Sequence, residues 1–95
     1  MIDLEKKYID FIKQTVNKFL HDYKLYIFGS RVKNRAKEYS DIDIAIDSFE
    51  LTSEVKSKLE AYFENSTLPY EVDIVNLNTI SDDFKKIIEN DLVKI

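Results

Sequence analysis

A chain of 95 residues, 44% hydrophobic and 34% charged, has the composition of one packed globular domain, residues 1–95, and not of a disordered segment. Its formal net charge of -4 argues against non-specific attraction to nucleic acid or to an anionic membrane, so any affinity for phosphate has to be local. The absence of cysteine excludes disulfides and thiolate metal sites. No apolar run approaches the ~18 residues of a membrane span, and the start Met-Ile-Asp-Leu-Glu-Lys-Lys lacks the apolar stretch of a signal peptide, so a cytoplasmic location is expected.

In chain order, residues 3–22 read as an amphipathic helix, with Leu4, Tyr8, Phe11, Ile12, Val16, Phe19 and Leu20 at the spacing of one helical face. His21, the single histidine, stands near the end of that helix and reads as a surface or capping residue with no catalytic role. Leu25 to Phe28 form a short buried strand stopped by Gly29. Residues 30–37 suit a short helix carrying four cations, Arg31, Lys33, Arg35 and Lys37, and Asn34 is placed to end its turn. Asp41 to Ile46 alternate acid and isoleucine as a strand does. Thr52 is an N-cap for a helix reaching about Asn65, with Val55, Leu59, Tyr62 and Phe63 as its buried stripe. A loop over residues 65–69 leads to a strand from Tyr70 to Leu77. Ser81 caps a last helix with Asp82 and Asp83 at its positive end, Asn90-Asp91 breaks it, and Leu92 to Ile95 can form an edge strand.

The chemistry concentrates between residues 28 and 46. Gly29, the only glycine, lacks the Cβ that would obstruct a sharp turn or the approach of a phosphate. Ser30 adds a hydroxyl and an N–H at the start of a turn whose free N–H groups favour anions. Asp41 and Asp43, spaced i, i+2, present both carboxylates on one face of a strand while Ile42, Ile44 and Ile46 point to the other. Hard divalent cations take such oxygens. Asp73 lies among Val72, Ile74 and Val75, where a charge is costly without a partner such as a metal. Each feature alone has an ordinary reading: the cations as a solvated helix face, the acids as exposed positions on a half-buried strand.

Together they resemble a known family. Phe28-Gly29-Ser30-Arg31, then Ser40-Asp41-Ile42-Asp43 and a third carboxylate on a later strand, resemble the nucleotidyltransferase superfamily that includes DNA polymerase beta, and most of all its minimal branch, the MNT proteins paired with HEPN-domain toxins. A glycine frequent in the family five residues after the first is Asn34 here, which can adopt the same backbone. The resemblance implies an α+β, two-layer fold in which helices pack on a small mixed β-sheet. It implies transfer of AMP from ATP to an acceptor hydroxyl, with Asp41, Asp43 and Asp73 as catalytic metal ligands for two magnesium ions. Gly29 and Ser30 would hold the β- and γ-phosphates, and Arg31 and Lys33 would neutralise the triphosphate, Arg31 gripping two oxygens at once. The implied partner is a HEPN toxin, modified on a tyrosine. A small-molecule transferase completed by a partner chain, and an antitoxin acting by contact alone, are the alternatives. Seven short elements leave little material for the ~300 Å³ pocket that a small second substrate needs, so an open site facing a protein acceptor is expected.

Overall fold

A computed structural model describes residues 2–33 and 40–95. Its elements, in order, are helix α1 (Lys6–Phe19), strand β1 (Lys24–Phe28), a 3-10 turn (Gly29–Arg31), β2 (Ile42–Asp47), α2 (Ser53–Glu64), β3 (Val72–Asn76), α3 (Asp82–Ile88), a second 3-10 turn (Glu89–Asp91) and β4 (Val93–Lys94). Of the helix expected over residues 30–37, the described part is the single turn. Asn34, Arg35 and Lys37 lie outside the described residues.

Helix α1 is shorter than the expected 3–22. Glu5 stands at its N-cap without a side-chain hydrogen bond, and Leu20 leaves it in extended backbone. The other two helices begin where the sequence places them. Thr52 accepts a hydrogen bond from the Val55 N–H at 3.2 Å, and Ser81 accepts one from the Phe84 N–H at 3.2 Å, each satisfying a donor that a helix start leaves free.

The strands form one sheet in the order β3-β2-β1-β4. β1 runs antiparallel to both β2 and β4, and β2 runs parallel to β3, so the sheet is mixed and the fold is α+β. Alternation along β2 decides the two faces. Ile42, Ile44 and Ile46 join Leu25, Ile27 and Ile74 against Ile12, Val16 and Leu20 of the α1 region and Leu59 and Phe63 of α2, in the main core. Burying each such side chain stabilises the fold by about 1.5–3 kcal/mol. On the opposite face Phe28 and Ala45 meet Ile88 of α3 in a smaller cluster. The acids of β2 share that second face.

The turn after β2 ties the far end of the sheet to α1. The Glu50 carboxylate accepts hydrogen bonds from the backbone N–H groups of His21 at 3.0 Å and Asp22 at 2.7 Å, and these bonds hold its pKa below the usual range. The His21 ring is exposed, with Nδ1 3.4 Å from Glu50. Among the described residues, no helix is long and apolar enough to cross a membrane.

Candidate active site

Strand β1 ends at Phe28 in extended backbone, and the chain turns at once through Gly29, whose φ of +82° lies in the left-handed region that L side chains avoid. The Gly29 carbonyl accepts hydrogen bonds from the N–H groups of Val32 at 3.0 Å and Lys33 at 3.3 Å, closing the turn. A Cβ at Gly29 would overlap the carboxylate of Asp43. Glycine is therefore required twice, for its backbone and for the room it leaves the acid.

Strand register completes the arrangement. Asp43 is the partner of Phe28 on β1 and of Asp73 on β3, so one row across three strands sets two carboxylates beside the Gly29 turn. Asp41 lies two residues before Asp43, just ahead of β2, and is exposed. Asp43 is half-buried. Burial first, then the charges of Asp73 and Asp41, raise its pKa above the ordinary carboxylate value. Among the described residues, no three His, Cys, Asp or Glu side chains close into a group that could hold a metal ion. The donor set still fits a hard divalent cation: it is all carboxylate oxygen, and its mutual repulsion is what a cation relieves.

The cations are placed differently from expectation. The Arg31 guanidinium is turned to the protein's own backbone. Only 5% of the residue is exposed; Nη1 donates to the Asp3 carbonyl at 3.0 Å and Nη2 to the Ser40 carbonyl at 2.7 Å, while the group stacks 4.5 Å from the Tyr70 ring centroid. Its own carbonyl accepts the Asp3 N–H at 2.7 Å. In a turn of three residues per revolution, neighbours point about 120° apart, so Arg31 diverges from Ser30 and grips the segment that leads into Asp41. Ser30 is half-buried, and its hydroxyl has no hydrogen-bond partner among the described residues. Lys33 pairs with Asp91, Nζ to Oδ2 at 2.8 Å.

Sequence reasoning missed Asp3, Tyr70 and Asp91, which only the fold brings to this turn. It also underestimated the available space. A cavity of about 500 Å³ lies between α2 and residues 68–73, with Phe63, Tyr70, Glu60, Glu64, Glu71 and Asp73 among its walls.

Known proteins bear on this geometry. The nucleotidyltransferase domain family matches residues 5–95. A Haemophilus influenzae protein named "Probable protein adenylyltransferase MntA" is 38% identical over 95 residues, covering 99% of this chain and 83% of that relative. A Thermococcus cleftensis protein adenylyltransferase MntA is 36% identical over 70 residues, 73% of this chain and 70% of the relative. Among solved structures, a toxin-antitoxin with AMP-PNP aligns at a TM-score of 0.77 and 23% identity over 90% of this chain and 69% of its own. A tri-AMPylated Shewanella oneidensis HEPN toxin in complex with MNT antitoxin aligns at 0.74 and 22% over 96% of this chain and 71% of its own. At those identities the structures establish the fold, while the matched domain and the curated relatives establish the family: the chain belongs to the nucleotidyltransferase domain family and is a nucleotidyltransferase.

Proposed function

We propose that this chain transfers AMP from ATP to a tyrosine hydroxyl of a HEPN-toxin partner and so acts as its antitoxin. The observation that carries the reading is the row from the Gly29 turn through Asp43 to Asp73, in a chain whose relatives are named protein adenylyltransferases. In this reading Gly29 and Ser30 bind the β- and γ-phosphates through backbone N–H groups and the Ser30 hydroxyl, and Lys33 offsets their charge. The tyrosine oxygen forms a bond to the α-phosphorus, the bond from that phosphorus to the β-phosphate oxygen breaks, pyrophosphate leaves, and the tyrosine proton passes to a carboxylate oxygen of Asp73. Asp41, Asp43 and Asp73 would hold two magnesium ions, which when bound neutralise the triphosphate and acidify the attacking hydroxyl. Arg31 serves the site indirectly, by fixing Ser40 next to Asp41.

Intact-mass spectrometry tests this. Incubated with ATP, Mg²⁺ and a HEPN protein encoded beside its gene, the chain should add about 329 Da per AMP to that protein. An unmodified partner that is still inhibited by an Asp41→Asn, Asp43→Asn variant would select contact-only antitoxin action. The cavity beside Asp73 favours one second reading, a small acceptor molecule, because its volume of about 500 Å³ lies within the usual range for such ligands. Transfer of labelled AMP to small hydroxyl compounds, with none to the HEPN protein, would select it.

A further inference from the structure

We propose that Asp91 is a positioning residue that holds the Lys33 ammonium beside the phosphate-binding turn. The assignment rests on the reading of Gly29 and Ser30 as that turn. The Lys33 N–H is hydrogen-bonded to the Gly29 carbonyl at 3.3 Å, so its backbone moves with the turn. Its side chain, however, has a four-carbon stem with many rotamers, and ordering it on binding weakens affinity. The ion pair to Asp91 at 2.8 Å settles that conformation in advance.

Asp91 is well founded for this role. It ends the second 3-10 turn, immediately before the segment in which Val93 and Lys94 pair with Ile27 and Tyr26 of β1, and the Ile95 N–H donates to the Leu25 carbonyl at 3.0 Å. β1 is also the strand that delivers Gly29, so Asp91 and the turn are carried by one pair of hydrogen-bonded strands. Lys33 keeps capacity for a phosphate. An ammonium has three donors, a single bond to Oδ2 occupies one, and 41% of the side chain is exposed. Asp91 is the more buried partner, at 23% exposure, so drawing Lys33 away would leave its charge less compensated. The pair is thus built to persist when the nucleotide binds, with phosphate joining as a further acceptor.

The test is calorimetric binding of ATP, with Mg²⁺ present, to the whole chain, with thermal melting as a folding control. Asp91→Asn is nearly isosteric and lies on a surface turn, so it should fold. It should raise the Kd for ATP about three- to tenfold, the size of effect expected when one long side chain has to be ordered on binding. Asp91→Glu, which keeps the charge, should restore most of the affinity. In a Lys33→Met background, Asp91→Asn should have no further effect, which separates positioning from general damage. Unchanged or tighter binding by Asp91→Asn, or an undiminished loss in the Lys33→Met background, overturns the assignment. A wild-type chain that binds no ATP overturns the phosphate-binding turn itself, and the role of Asp91 with it.

Discussion

Gly29 and Asp43 occupy complementary space: the Asp43 carboxylate fills the volume in which any other residue at position 29 would place its Cβ. Two strand ends are thereby locked in register, and the acid is held against the turn that precedes it. Gly29→Ala should therefore lose both stability and transfer. The left-handed backbone alone costs an L residue about 1–2 kcal/mol, and displacement of Asp43 adds to this. Chemical denaturation and transfer assays check the two losses. A variant that is destabilised but fully active would show that the position of Asp43 is immaterial to the reaction.

Arg31 gives a sharper separation of roles. Its fork bridges two carbonyls, Asp3 and Ser40, in a buried setting, so Arg31→Lys keeps the charge and loses the geometry. We expect a stability loss of about 1–3 kcal/mol, the range for hydrogen bonds made by a charged group, with the Kd for ATP altered less than in Lys33→Met. The opposite pattern, weakened ATP binding at unchanged melting temperature, would return Arg31 to the phosphates.

These two residues mark what the sequence discloses. Gly29 was legible because only one residue type tolerates its backbone, and the β2 face was legible because the alternation of acid and isoleucine admits one register. The caps at Thr52 and Ser81 were legible because a helix start needs a local acceptor. The carbonyl contacts of Arg31 were not legible, because the fork that suits a phosphate suits a pair of carbonyls equally well, and which it meets depends on where Asp3, Ser40 and Tyr70 arrive in space. Asp91 carried no local signal. Its meeting with Lys33 follows from β4 joining the edge of β1, a long-range choice of strand order. The ends of α1 were likewise set by tertiary packing, since neither Glu5 nor Leu20 offers a side-chain cap.

Ser30 supplies a test of the turn that stability should not confound. Its hydroxyl has no partner among the described residues, so Ser30→Ala should leave the melting temperature nearly unchanged. Transfer should fall about ten- to a hundredfold, equivalent to ~1.4–2.7 kcal/mol of transition-state stabilisation, less than the loss of a carboxylate because the backbone N–H groups and Lys33 remain. Steady-state kinetics checks this, and an unaltered kcat/KM would remove the hydroxyl from the phosphate contacts.

Asp43 should show a conflict between stability and function. Burial, with the charges of Asp73 and Asp41, raises its pKa above that of the unfolded chain, so folding disfavours its ionised form. For such a group, stability is greatest below the unfolded pKa and declines as pH rises through the folded one. Once the pH exceeds the folded pKa, the metal-free protein carries this penalty in full. Asp43→Asn is isosteric and uncharged, and should abolish transfer while raising the metal-free melting temperature at pH 7. The gain should shrink as the pH is lowered towards the ordinary aspartate value of about 3.9, where the wild-type carboxyl becomes neutral too. Added Mg²⁺ should stabilise the wild type and have less effect on the variant, since binding to the folded state alone raises Tm. Melting curves with chelator and with Mg²⁺, across pH, decide it. A variant that melts below the wild type at pH 7 in chelator would mean that Asp43 supports the fold by its charge, and that the carboxylate row is a structural feature of the sheet.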